Sequence, residues 1–317
     1  DMRLLAAVGR NTIGRVTLHE PGAPPHMQPA MSLDEILRSA PSDKLFDHLL
    51  RTYTASGVSG IQPKVLVPEA SRITVPQPTL IVKASGATPF LTQNEFVCMD
   101  AARRAGIRVP EFSLGSDGGL FVMKRFDRVQ DGDGTRALGF EDMVVVMGKT
   151  TARKYEGSYE NIAKAIRLYG GADASESLQR LFEYVALSVM VRNGDAHLKN
   201  FGLLYEYPAR AESVTLAPLY DVVTTTAYDV MPGIADKTLA LKLGTDRRFP
   251  RRDALLRFGR DVCHVLRPDG VVERIAEGMR DAWREHHGLF ASDFAARMHA
   301  EWEEGLRTVA SAAATSA

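Results

Sequence analysis

Two rhythms of apolar residues divide the chain. From about residue 60 to 126 short runs dominate, "KVLV" (64–67), "TLIVK" (79–83) and "LFVMKRF" (120–126), rich in the β-branched and aromatic residues that suit a pleated, half-buried surface. One helix interrupts them. Thr92 with Glu95 three residues later forms a capping-box pattern, in which side chains satisfy free amides of the first turn, and Gly106 followed by Val109-Pro110 ends the helix. Beyond about 140 the spacing turns helical. In "YENIAKAIRLYGG" and "SLQRLFEYVALSVMVRNG" the apolar residues, among them Leu178, Leu181, Phe182, Val185 and Val189, recur every three or four positions, and Asn193-Gly194 closes the second helix. Two strand-like runs follow, "FGLLY" (201–205) and "VTLAPLYDVV" (214–223), and then "VVERIAEGMRDAWREHHG" and "DFAARMHAEWEEGLRTV" predict helices. Ahead of all this, residues 2–18 alternate loosely around Leu4, Val8, Ile13, Val16 and Leu18 like a strand or hairpin fragment, and "EPGAPPHMQPAM" breaks into a Pro-rich linker. The tail "ASAAATSA" reads as disordered, and no internal repeat is found. A strand-rich first part followed by a helix-rich second part predicts an α+β fold of two unlike lobes rather than an alternating βαβ sheet.

Composition narrows the partners. With 317 residues, 45% of them hydrophobic, the chain is long enough for two lobes with a sizeable core. Lys+Arg and Asp+Glu stand at 39 each, so net charge gives no reason to expect direct binding to nucleic acid. Cys98 and Cys263 lie far apart without metal-ligand spacing, which fits a reducing compartment, and the cytoplasm is the expected location. No apolar run approaches the ~20 residues that span a bilayer, and Gly9, Arg10 and Asn11 interrupt any signal-peptide core. No membrane role is expected.

Candidate chemistry concentrates in "VRNGDAHLKNFGLLY" (191–205). Asp195 and Asn200 have the spacing D-x-x-x-x-N, and Asp221 in "LYDVV" follows the next strand-like runs. Phosphoryl transfer needs this set: one carboxylate to accept a proton from the attacking hydroxyl, and an amide oxygen with a second carboxylate to hold Mg²⁺ on the phosphates of ATP. Alone, the spacing reads more simply as a turn, because Asp and Asn are the commonest turn residues. Lys83, ending "TLIVK", suits contact with phosphates, with Glu95 to hold it; by itself it also fits a strand lysine that snorkels to water. "SGVSGIQPK" (56–64) offers Gly57, Ser59 and Gly60 as backbone that approaches phosphate oxygens, though it lacks the lysine placement of a Walker A loop. "FVMKRFDR" (121–128) is expected to expose a strand edge toward adenine, with Met123 and Arg125 in that strand, Phe126 on the ring and Asp127 near the ribose. A plain edge strand explains it equally well. His197 meets no HExxH or GxSxG partner, so it is expected to support the loop beside the nucleotide. The weight lies in the order: glycine loop, strand lysine, helix glutamate, hinge strand, D-x-x-x-x-N loop, then aspartate, as a two-lobed kinase requires.

Taken together, "SGVSGIQPK", "TLIVK", "NEFVCMDAARRAGIRVPE", "FVMKRFDR", "NGDAHLKNF" and "LYDVV" resemble the HipA family of bacterial serine/threonine kinases, the toxins of type II toxin–antitoxin modules, over roughly 55 to 300. The resemblance implies a protein-kinase-like fold divided into a remnant of a β-rich subdomain at 1–20, an N-lobe with the glycine loop at 21–126, a helical C-lobe at 127–309 and a tail at 310–317. It implies Asp195 as catalytic base, Asn200 and Asp221 as Mg²⁺ ligands, Lys83 on the ATP phosphates and 123 to 127 as the nucleotide hinge. His197 follows Asp195, as in this family and unlike the H-R-D order of eukaryotic kinases. The family's glycine loop carries an autophosphorylated serine. Here Gly57 stands at the first serine position of S-x-x-G-x-Q, leaving Ser59, then Ser56, as candidates. The short start fits a truncated chain or a compact, HipT-like kinase completed by a separate small HipS-like protein. The implied partners are a helix-turn-helix antitoxin (HipB-like), through which alone DNA would be met, and an aminoacyl-tRNA synthetase as protein substrate. Two other readings remain: a small-molecule phosphotransferase, and a non-catalytic kinase-fold scaffold for a DNA-binding antitoxin.

Overall fold

The hydrophobic rhythms become two units, Asp1–Phe96 with Pro110–Phe140, and Val97–Val109 with Glu141–Ala317. The structure, a computed structural model, describes residues 12–18, 29–53, 62–70, 78–131, 134–207, 213–229, 233 and 235–310.

In the first unit, helices α1 (Leu33–Arg38) and α2 (Ser42–Thr52) precede strands β1 (Lys64–Pro68) and β2 (Pro78–Ala84). Helix α3 (Leu91–Arg104) starts in this unit and ends in the second. Strands β3 (Phe112–Leu114) and β4 (Leu120–Lys124) complete an antiparallel sheet in the order β1-β2-β4-β3, and β5 (Arg128–Asp131) and β6 (Gly134–Ala137) form a hairpin. Successive strand side chains point to opposite faces. Val65 and Val67, Leu80 and Val82, and Leu120 and Val122 therefore share one face and close a buried cluster with Ile36, Phe46, Leu49 and Tyr53 of the two helices. The same parity sends Leu66, Ile81, Lys83, Phe121 and Met123 to the other face.

The second unit is mostly helical. After β7 (Gly139–Asp142) come α4 (Met143–Val146), α5 (Tyr159–Tyr169) and α6 (Ala174–Met190), an antiparallel pair β8 (Gly202–Tyr205) and β9 (Thr215–Leu216), and a second pair β10 (Thr238–Leu243) and β11 (Asp246–Arg248). The chain then forms α7 (Arg252–Arg257), α8 (Pro268–His286) and α9 (Ser292–Val309). Twelve of the seventeen residues of α6 are buried, as expected of a central helix. Among the described residues, no helix is long and apolar enough to cross a membrane.

Three sequence expectations change. Thr92 does not cap α3, which starts one residue earlier; its hydroxyl donates to the Gly118 carbonyl at 2.7 Å, and Glu95 turns to Lys83. The run 214–223 is strand only at Thr215–Leu216, because Pro218 has no amide to donate and Asp221 adopts a left-handed φ of 56°. Helix α6 ends at Met190, three residues before Asn193: Arg192 takes the left-handed position (φ 60°), with Asn193 N donating to Ser188 O at 2.7 Å in a Schellman closure.

Helix α9 approaches α6 where Gly305 lies on the Met190 carbonyl, closer than any side chain permits. Gly305→Ala is expected to destabilise the protein by about 1–3 kcal/mol in urea unfolding, because a main-chain neighbour cannot yield as a side chain can, despite alanine's better helix propensity.

Candidate active site

The segment after α6 is a tight loop whose ends are buried and whose centre is open. Asn193, Ala196, His197 and Leu198 are buried, whereas Asp195 is exposed. Its backbone is pinned from several directions. Gly194 N donates to Thr225 Oγ1 at 2.7 Å, Asp195 N to Asn193 Oδ1 at 3.0 Å, and Leu198 N to the Lys154 carbonyl at 3.1 Å. Gly194 is required there, since a Cβ would sit 2.5 Å from the Thr238 carbonyl. The loop thus presents one carboxylate on a rigid backbone.

All three residues singled out by spacing bear on His197. Asn200 Oδ1 accepts the His197 amide at 3.1 Å, and the charges of both Asp195 and Asp221 act on the His197 ring. Burial, the larger influence, pushes the His197 pKa below its ordinary 6.5 against the pull of Asp195, so the ring is neutral near pH 7. Its Nδ1 is buried without a hydrogen-bond partner among the described residues. Asn200 Oδ1 keeps a second lone pair, and it and the Asp221 carboxylate are oxygen donors of the type that suits Mg²⁺, which needs only one or two protein oxygens when phosphates and waters fill the rest. Among the described residues no group of three His, Cys, Asp or Glu is gathered for a metal.

Within the first unit, Lys83 Nζ meets Glu95 Oε1 at 2.6 Å, with the side chains 2% and 1% exposed, and lies 5.6 Å from the Phe121 ring centroid. The expected pairing of strand lysine and helix glutamate is therefore formed. The exposed-edge expectation for 121–128 is corrected. Strand β4 is internal, not an edge: Met123 is paired with Ile81 on one side and Phe112 on the other, and its side chain is buried. Arg125 and Asp127 turn inward. The Asp127 carboxylate accepts from Arg125 Nε and Nη2 (3.0 and 2.6 Å), Arg128 Nη1 (2.8 Å) and Gly14 N (2.7 Å), and at 1% exposure it is turned in among these donors rather than toward a ribose hydroxyl. Burial holds Arg128 down to about 10. Phe126 is half-buried and packs on Phe140, with ring centroids 5.6 Å apart. Ser56, Gly57, Ser59 and Gly60 lie outside the described residues.

Sequence spacing gave no sign of Tyr155, forty positions before the loop, whose Oη donates to Asp195 Oδ1 at 2.7 Å and whose ring meets His197 edge-on. Burial, reinforced by the Asp195 hydrogen bond and charge, raises the Tyr155 pKa well above the phenol range. Lys199 was visible in the motif, but its partner was not: its Nζ pairs with Asp142 Oδ2 at 3.0 Å. Asp142 in turn caps α4 through Val145 N.

The chain has relatives among known proteins. The protein Y4dM of Sinorhizobium fredii, named as a candidate kinase, is 34% identical over 152 residues, 43% of this chain and 34% of its own. A candidate kinase of Haemophilus influenzae is 30% identical over 201 residues, 57% of this chain and 55% of its own. The chain thus spans between about a third and about half the length of these relatives. Among solved structures, HipA of Shewanella oneidensis MR-1, in a toxin–antitoxin complex with HipB and operator DNA, matches with a TM-score of 0.72 at 19% identity, covering 96% of this chain and 78% of that one. The Helicobacter pylori proinflammatory kinase CtkA matches with a TM-score of 0.56 at 15% identity, covering 78% and 90%. These likenesses show the fold as α+β and kinase-like, with a strand-bearing unit and a helical one. Residues 56–286 match the HipA-like C-terminal domain, and the chain belongs to that family.

Proposed function

We propose that this protein is an ATP-dependent kinase that transfers the γ-phosphoryl group to a serine or threonine hydroxyl of a protein. The observation that carries the reading is the exposed Asp195 on a pinned loop, with Asn200 bonded to the His197 backbone amide of the same loop and the Asp221 charge acting on the His197 ring. In the reaction, the acceptor oxygen forms a bond to the γ-phosphorus as the bond to the ADP oxygen breaks. The leaving oxygen keeps the electron pair, and the hydroxyl proton passes to Asp195. Asn200 and Asp221 would hold Mg²⁺, which would supply positive charge for the phosphates, and Lys83, oriented by Glu95, is the proposed phosphate-binding cation of the first unit. Turnover on the order of 1–100 s⁻¹ is expected of such a kinase.

The biological setting is a finer proposal. The likeness to HipA bound to HipB and operator DNA supports a HipB-like helix-turn-helix antitoxin as partner. The family resemblance supports an aminoacyl-tRNA synthetase as substrate, with Ser59 or Ser56 as the site of autophosphorylation. Phosphoproteomics after brief expression tests both substrate assignments; a synthetase free of new phosphoserine overturns the first.

Asp195→Asn should lower phosphoryl transfer by at least about 10²-fold while leaving the thermal melt unchanged; a variant that still labels itself or a protein substrate with radioactive phosphate refutes the base assignment. Glu95→Gln removes the charge facing a buried ammonium and is expected to cost about 3–5 kcal/mol of stability. The double variant Lys83→Met with Glu95→Leu should recover most of that stability in urea unfolding yet remain inactive, separating the packing role of the pair from its phosphate role. Acid should also weaken the fold through His197. Its folded pKa lies below its unfolded 6.5, so the stability it contributes is complete above that pH and is lost as pH falls below it, where the unfolded chain takes the proton first. Between pH 7 and 5, His197→Gln should therefore lose stability less steeply than the wild type in denaturant titrations.

A further inference from the structure

A carboxylate that is to act as a base must be accessible, and an accessible carboxylate ordinarily rotates. Asp195 is exposed, and the loop that carries it fixes only its backbone. Its two oxygens are nevertheless in different situations: Oδ1 receives the Tyr155 hydroxyl at 2.7 Å, and no protein donor meets Oδ2 among the described residues.

Tyr155 is itself held on several sides. The carbonyl of its neighbour Lys154 accepts Leu198 N from the loop at 3.1 Å. Its own carbonyl accepts the Arg247 guanidinium, its ring lies edge-on against His197 with centroids 5.1 Å apart, and Lys154 Nζ lies 4.8 Å from the ring centroid. The turn that bears Tyr155 and the loop that bears Asp195 are thus joined twice, once through backbone and once through side chains. Burial and the facing carboxylate both push the phenol pKa upward, so the hydroxyl is protonated, and a donor, at neutral pH.

The geometry points to Tyr155 as a positioning residue for phosphoryl transfer: its hydroxyl fixes the Asp195 carboxylate through Oδ1 and leaves Oδ2 as the one oxygen presented to the acceptor hydroxyl. This rests on the kinase reading above and adds to it a residue that touches neither nucleotide nor metal. A hydrogen bond to a charged group is among the stronger ones, and without it the carboxylate samples orientations in which neither oxygen faces the acceptor, so the rate of the chemical step falls while nucleotide binding does not.

Tyr155→Phe removes only the hydroxyl and keeps the ring on His197; Tyr155→Leu removes both. The experiment measures kcat, KM for ATP, Mg²⁺-dependent ATP binding and the melting temperature of the full chain and both variants. The expected result is a fall in kcat of about tenfold to a hundredfold in Tyr155→Phe, with KM for ATP, ATP binding and melting temperature unchanged. Tyr155→Leu should show a similar fall in kcat together with a lower melting temperature. The inference is overturned if Tyr155→Phe keeps more than half the wild-type kcat, or if its loss of kcat is matched by changes in KM and melting temperature, as a merely structural role would give. A wild-type chain that binds ATP with Mg²⁺ but transfers no phosphate overturns the kinase reading and this inference with it. An active wild type with an unimpaired phenylalanine variant overturns the inference alone.

Discussion

A charge shut away from water must be met by an opposite charge, and in the first unit that requirement fixes where the candidate phosphate lysine can be. Lys83 lies on the sheet face opposite the apolar cluster because it shares parity with Ile81 rather than with Leu80 and Val82. Both ends of its pair with Glu95 are almost wholly buried, so α3 cannot slide along the sheet without stranding one of them at a cost of several kcal/mol. Thr92 and Ser85 add a second tie between the start of α3 and the end of β2, their hydroxyls 2.8 Å apart. The pair therefore holds a helix to a sheet and keeps an ammonium group oriented at the same time, which is why its packing and chemical roles need separate variants to distinguish.

The second unit meets the opposite problem, keeping a charge in water on an immobile support. Backbone strain appears on both sides of the support. Arg192 and Asp221 are non-glycine residues in the left-handed region, each at a cost of about 1–2 kcal/mol. Arg192 is held there by its contacts. Its guanidinium lies 3.8 Å from the Phe249 ring centroid, its Nε meets Glu301 at 3.5 Å, and its carbonyl accepts the hydroxyls of Thr225 and Thr226. Thr225 also receives Gly194 N, so one hydroxyl couples the strained helix end to the loop that presents Asp195.

What the sequence made legible was whatever repeats or carries a charge at a fixed short spacing. The strands 64–67 and 79–83, the helices α5, α6 and α9, and the grouping of Asp195 with Asn200 were all readable in that way. The pattern S/T-x-x-E marks the limit. It occurs at Ser32–Glu35 and again at Thr92–Glu95. The first is a true capping box, with Ser32 N donating to Glu35 Oε2 at 2.8 Å and Glu35 N to Ser32 Oγ at 3.2 Å. In the second, the glutamate is claimed by a lysine twelve positions back. Local pattern cannot rank a cap against a buried counterion, because the counterion comes from another element. The same holds for "FVMKRFDR", read as an edge strand: nothing in its own residues says that β3, only three residues long, will cover its other side. Helices α1 and α2 were not read at all, since each is short and Pro41 separates them.

Tyr155 belongs to that same class of long-range facts. It comes from a turn with no apolar period, and only folding brings it to Asp195. Catalytic aspartates can be read from sequence because their chemistry prescribes type and spacing, whereas the group that orients such a carboxylate need only be a donor of the right reach, from any element that passes nearby. A donor that must stay neutral beside a carboxylate is best supplied by a phenol. A lysine in its place would add a full positive charge and stabilise the carboxylate against accepting a proton, whereas a phenol orients it and adds no formal charge. The residue type at 155 thus follows from the task at 195, although its position in the chain does not.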